Sequence, residues 1–238
     1  MLQKTKDIYG ATLVASDGDI GHIKDLYFDD QSWVIRYVVA DTGSWLSGRQ
    51  VLLSPPHAVG KVNRDEKSLS INLSRKQIES SPSIEMHKPV SRQYELDYYL
   101  YYGWPAYWNG GGMGGIEGFP VVMESSKDEM EAHPQHRDGH LQSMKAVMGY
   151  AIHGIDGEIG KVSGFMVDDK TWGIAELVVD TGHWYAGKEI LIPPVKITRI
   201  SYEGAAVFVS LTKSDLQKTA EHEVAKIRLS RTHAVEGE

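Results

Sequence analysis

The 238-residue chain contains no cysteine. That excludes disulfides, thiolate catalysis and Cys-type zinc sites. It also lacks any apolar run near the roughly 20 residues needed to cross a bilayer. Its first residues, MLQKTKDIYGATLVAS, carry no apolar core of a secretory signal, so the expected location is cytoplasmic, without membrane insertion. Positive charge is scarce as well: 25 Lys and Arg against 32 Asp and Glu give a net charge of −7. Neutralising phosphates needs a basic face, so nucleic acid is not an expected partner.

What is present is an internal repeat. Sliding the sequence by 139 residues aligns 17–53 with 156–192 without a gap. Fifteen of these 37 positions are identical, among them Asp17, Gly18, Ile20, Gly21, Asp29, Asp30, Trp33, Asp41, Thr42, Gly43, Trp45 and Gly48. Repeats of this kind mark duplicated structural units. The expected organisation is a first unit at 1–82, a linker at 83–140, a second unit at 141–218 and a tail at 219–238. The linker differs in composition, with four Lys and Arg against nine Asp and Glu.

Each unit reads as all-β. Short β-rich runs (ATLVAS, IGHIKDLYFD, WVIRYVVAD, QVLLS and SLSINL in the first) are separated by turn chemistry such as DGD, DDQS and NRDEK. The apolar residues Ile20, Ile23, Leu26 and Phe28 do not alternate strictly, which predicts a bulged or strongly curved strand. Short curved strands close most readily into a small barrel, since closure removes exposed edges. Ser74 with Gln77, and Thr212 with Asp215, have the spacing of a helix-capping pair, so each barrel is expected to end in a short helix.

The triplet Asp-Thr-Gly occurs once per unit, as Asp41-Thr42-Gly43 and Asp180-Thr181-Gly182. Two such triplets raise the possibility of an aspartic-type hydrolase whose two carboxylates share a proton. The companions of that chemistry, an apolar-apolar-Gly strand behind each loop and a flap, do not follow either triplet. Instead Trp45 and Trp184 come two residues later, and the β pattern resumes. Asp, Thr and Gly suit a strand-to-strand turn with local side-chain hydrogen bonds. The eight residues Asp41, Thr42, Gly43, Trp45, Asp180, Thr181, Gly182 and Trp184 therefore read as structural turns, and no catalytic residue is assigned.

The linker holds the less ordinary chemistry. Eight of the 15 residues from Tyr94 to Trp108 are aromatic. Ser91 as a cap and Gly103 as a stop predict a helix over 92–102. On it Tyr94, Tyr98, Tyr101 and Tyr102 share one face, and with Trp104 and Trp108 they form a candidate packing or oligomer interface. The run NGGGMGG at 109–115 has no following Lys and reads as a hinge rather than a phosphate loop. His133, His136 and His140 lie within eight residues, and imidazoles so spaced are candidate ligands for zinc, copper or nickel. The paired acidic turns are too short for an EF-hand and read as hairpins.

The motifs D-G-x-I-G, D-D-x-x-W and V-x-D-T-G-x-W-x-x-G-[RK] resemble the PRC-barrel family. That family includes the cytoplasmic barrel of the photosynthetic reaction-centre H subunit and the barrel of a ribosome-maturation factor. The resemblance covers roughly 2–80 and 141–218, and the connector YYGWPAYW is similar to that of stand-alone bacterial two-barrel proteins. It implies two tandem barrels packed on each other or on a partner chain, clamped by the aromatic segment. It also implies a non-catalytic, cofactor-free module for protein–protein contact or self-association as a homo-oligomer, with a stress-associated role. The alternative of another class is a metal- or small-ligand-binding protein, using the His cluster or a cleft between the barrels.

Overall fold

The structure is a computed structural model that describes residues 1–63, 65–82, 92–106, 141–185 and 187–218, with backbone only at 92, 93 and 184. Its strands in chain order are β1 (Leu2–Lys4), β2 (Thr12–Ala15), β3 (Gly18–Asp29), β4 (Val34–Asp41), β5 (Gln50–Leu53), β6 (Val59–Asn63) and β7 (Ser68–Ile71). They continue with β8 (Leu141–Ser143), β9 (Ala151–Gly154), β10 (Gly157–Asp168), β11 (Ile174–Asp180), β12 (Glu189–Ile192), β13 (Ile197–Ser201) and β14 (Ala206–Val209). The α-helices are short: α1 (Thr5–Ile8), α2 (Pro55–Ala58), α3 (Arg75–Glu79), α4 (Arg92–Tyr102) and α5 (Met144–Val147), then α6 at 213–218.

Two seven-stranded sheets result, one per repeat. The first runs β5-β4-β3-β2-β7-β6 and the second β12-β11-β10-β9-β14-β13. In each, the third and fourth strands of the repeat pair antiparallel, while β2 with β7, and β9 with β14, are parallel. The long strand bends where the apolar pattern slips. β3 shifts register against β4 between Ile23 and Asp25 and between Tyr27 and Phe28, and β10 does so at the equivalent places. The first shift leaves Lys24 as the extra residue of β3 and so brings Ile23 onto the buried side with Leu26 and Phe28, while at the second the extra residue is Arg36 of β4. The capping pairs form as expected: Ser74 and Gln77 make a reciprocal box on α3, and Thr212 with Asp215 repeats it before α6.

The remaining strand of each sheet comes from the other repeat. β1 pairs with β10, matching Leu2 with Asp168 and Lys4 with Met166. β8 pairs with β3, matching Leu141 with Asp29 and Ser143 with Tyr27. The units thus exchange their first strands reciprocally. The seam continues through two tryptophans. Trp33 and Trp172 hold φ of 55° and 57°, the left-handed region that costs a bulky side chain of the order of 1–3 kcal/mol. Ile35 donates its N–H to the Trp172 carbonyl and Ile174 to that of Trp33, both at 2.8 Å. The strained turn therefore presents its carbonyl to the partner unit. The Phe28 and Phe165 rings, 5.8 Å apart, continue the contact inward, and one apolar cluster spans both units.

Each tryptophan turn is held by its leading aspartate. Asp29 Oδ1 accepts from the N–H groups of Gln31 and Ser32, and Asp168 Oδ1 from those of Lys170 and Thr171. The N–H groups of Thr171 and Lys170 bring the Asp168 carboxyl down to about 2. Burial works to raise Asp29, but the N–H groups of Ser32 and Gln31 outweigh it and leave its pKa lowered. A lowered folded pKa contributes stability that is complete above the unfolded value, about 3.9, and lost as pH falls through the folded value. Thermal melting points should therefore fall from about pH 4 towards pH 2. The Asp168→Asn variant, which has no proton to gain, should show a shallower fall by circular dichroism. Equal slopes would dissociate this turn from acid unfolding.

Candidate functional site

The Asp-Thr-Gly triplets close the β4–β5 and β11–β12 turns in the same way. Asp41 Oδ1 accepts from the Gly43 N–H at 3.1 Å, and Asp180 Oδ1 from that of Gly182 at 2.9 Å. The buried Thr42 and Thr181 donate their hydroxyls to the carbonyls of Arg49 and Lys188, at 2.6 and 2.8 Å. Gly48 and Gly187 then return their N–H groups to Gly43 and Gly182, each at 2.6 Å. Trp45 lies under the Arg75 guanidinium, 4.6 Å from its ring centre.

Asp41 sits in the first sheet opposite His22 and Gln50, and Asp180 in the second opposite Lys161 and Glu189. Asp41 Oδ2 also lies 3.8 Å from Lys24 Nζ, and the two carboxylates stand in different sheets. The cavity beside Asp180, about 300 Å³, is lined by second-unit residues including Glu158, Lys161 and His183.

The first motif explains itself through the second. A Cβ on Gly21 would stand 2.0 Å from the Asp41 carbonyl oxygen, and one on Gly160 would stand 2.1 Å from that of Asp180. Both glycines also have positive φ. The D-G-x-I-G glycine is thus the surface on which the Asp-Thr-Gly corner rests. The leading aspartates of that motif cap the closing helices: Asp17 accepts from the Arg75 N–H at 2.7 Å, and Asp156 from that of Lys213 at 3.1 Å. Gly21→Ala and Gly160→Ala should each cost about 3 kcal/mol or more, from overlap plus backbone strain. Urea unfolding of each variant measures it, and a change under about 1 kcal/mol would contradict the close approach.

The aromatic helix α4 packs on the first sheet. Tyr98 is fully buried and Tyr99 nearly so, in a cluster with Tyr37, Val39, Leu52 and Leu141. The Tyr98 hydroxyl donates to the Leu52 carbonyl at 2.8 Å and accepts from the Ser54 N–H at 3.2 Å. Tyr99 shares a hydrogen bond with the Ser54 hydroxyl at 3.3 Å, and Tyr37 donates to the buried Glu95 carboxylate at 3.1 Å. Burial pushes the Tyr98 hydroxyl pKa well up and raises that of Tyr102 to about 12.

Gly103, at φ +67°, ends the helix and brings Trp104 back over it. Trp104 stacks on Tyr102 with ring centres 4.4 Å apart and on His57 at 4.9 Å. Burial lowers the His57 pKa. Of the predicted aromatic face, Tyr94, Tyr98, Tyr102 and Trp104 meet the barrel. Tyr101 instead lies at the rim, 42% exposed, with its hydroxyl on the Gln77 carbonyl.

Tyr99, Glu95 and His57 were not among the predicted site residues. Tyr99 lies off the face shared by Tyr94, Tyr98, Tyr101 and Tyr102, and His57 gives no local signal because its partners lie over 40 positions on. Trp108 and the cluster His133, His136 and His140 lie outside the described residues. Among the described residues no group of three His, Asp or Glu is placed to hold a metal, and no helix is long and apolar enough to cross a membrane. Tyr98→Phe leaves a buried N–H and C=O with one partner fewer, and should cost about 1–3 kcal/mol. Chemical denaturation would read this directly, and an unchanged midpoint would mean that the hydroxyl is dispensable.

The sheets, corners and closing helices define a pair of small β-barrel units of one kind. The PRC-barrel domain model matches residues 4–78 and 149–216, more than half of the chain, and the protein belongs to the PRC-barrel domain family. An uncharacterised protein of Deinococcus radiodurans is 36% identical over 81 residues, 34% of this chain and 29% of that protein. The similarity therefore spans under a third of that relative's length.

Proposed function

We propose that the protein is a non-catalytic binding and assembly module that works in the cytoplasm through protein–protein contact, including contact between its own copies. One observation carries this reading. The polar residues that recur between the repeats serve the architecture: Asp17, Asp29, Asp41 and Thr42, with their counterparts, each bond backbone groups of their own unit. Chemistry would need some of them free to meet a substrate.

The surface offered to a partner is the outer side of α4. Leu100 is 76% exposed there beside the half-exposed Tyr101, at the rim of the aromatic cluster. Apolar and aromatic side chains so placed are the usual anchors of a protein interface. Light scattering of the wild-type chain at high concentration should give a mass above the monomer, and Leu100→Glu should reduce it to the monomer. A photo-crosslinker at position 100, and not at the equally exposed Ile155, should give a discrete adduct. A monomeric wild type with no adduct from position 100 would overturn the reading. The second reading, a small-ligand protein, has in its favour a cavity between the units.

A further inference from the structure

The two seams are related by the repeat, yet they are not filled alike. Where β1 joins the second sheet, a cavity of about 430 Å³ opens between the units. Its apolar wall combines Ile8, Ala11, Ile23 and Leu69 of the first unit with Met166 and Trp172 of the second. This volume lies within the range of small-molecule sites, roughly 300–1,000 Å³.

At the other seam the residue 139 positions after Ala11 is Tyr150. Its ring lies 6.5 Å from that of Tyr202, and its hydroxyl reaches the Tyr202 carbonyl. Tyr202 in turn crosses the seam, donating its hydroxyl to Asp30 at 2.5 Å. Asp30 is the repeat counterpart of Asp169, which lines the open cavity. Tyr150 thus places a ring at one seam where the other has only the methyl of Ala11. The cavity is open on one side to solvent, so an apolar occupant would displace water from a largely apolar wall.

We propose that this cavity is a binding site for a small, uncharged, mainly apolar molecule with an aromatic part. The charges at its rim select against a net ion. Among the described lining residues two are basic, Lys4 and Lys67, and two acidic, Asp7 and Asp169. Lys4 is already paired with Glu189, and Asp169 with the amine of Met1 and with Gln3. The indole of Trp172 supplies a flat face, and Met166 is unbranched and adaptable beside it, with a thioether suited to a ring edge. Ser68 at the same wall supplies a hydroxyl that can fix orientation, while the Asn63 amide beside it is held by Glu66. The site rests on the small-ligand reading and is independent of the α4 surface.

The test uses the full chain and N-phenyl-1-naphthylamine, an uncharged aromatic probe whose emission rises in apolar surroundings. Wild type should bind one probe per chain saturably. Ala11→Tyr, which places at this seam the residue found at the other, should weaken binding at least tenfold while its melting curve stays cooperative. Independently of any variant, methyl NMR of the wild type should show the signals of Ile8, Ile23, Leu69 and Met166 moving with probe. Those of Met144 and Val147, on the helix entering the other seam, should stay still. If Ala11→Tyr does not fold, the methyl shifts decide. Absence of saturable binding, undiminished binding by a folded Ala11→Tyr, or shifts confined to other residues would each overturn the site. None of these outcomes alters the mass measured by light scattering, so failure here and failure of the assembly reading remain separate.

Discussion

The exchange of first strands across the seam is the constraint on which the rest of this structure depends. β1 completes the second sheet and β8 the first, so neither sheet is whole without the other unit. The strained tryptophan turns follow from this. A left-handed Trp33 or Trp172 is a liability within its own unit, and it is retained where its carbonyl meets the partner's N–H. The aspartates that hold those turns follow in the same way. So does Asp25, whose carboxylate accepts from Ser143 and the Lys145 N–H at the start of the other unit's α5. Electrostatics, backbone strain and core packing meet along one line.

Much of this was legible in the sequence, and the reason is local. The corners are built from residues within a few positions of each other, so Asp29 with Gln31 and Ser32, or Thr42 with Arg49, carry their own signal. The bend of β3 showed as a break in apolar alternation, and the helix over 92–102 was framed by Gly103. The exchanged strands were not legible. Leu2–Lys4 and Leu141–Ser143 are three residues each, too short for a period, and their partners lie over 100 positions away. β6 was missed because Gly60 and Lys61 interrupt an already weak run. The choice between packing on each other and packing on another chain could not be settled by composition, since either buries the same apolar face.

The repeats have diverged where their surroundings differ. α4 lies on the first sheet at Tyr37, whose counterpart in the second is Glu176. Tyr37 offers a hydroxyl to the buried Glu95, and a carboxylate in its place would oppose Glu95. Ser54, which bonds Tyr98 and Tyr99, also has no match in the second unit, where Pro193 follows Ile192 directly, so the aromatic clasp suits the first unit alone. Ala11 and Tyr150 draw a similar distinction at the seams. Duplication supplied a symmetric frame, and a few substitutions on it made its faces unequal.

Reciprocal strand exchange between like units is also what two separate single-unit chains would use to form a dimer. Joining the units in one polypeptide turns that encounter into an intramolecular event. The seam then forms whatever the abundance of the protein. It also frees each half from having to be its own best partner, since a change on one side no longer appears twice.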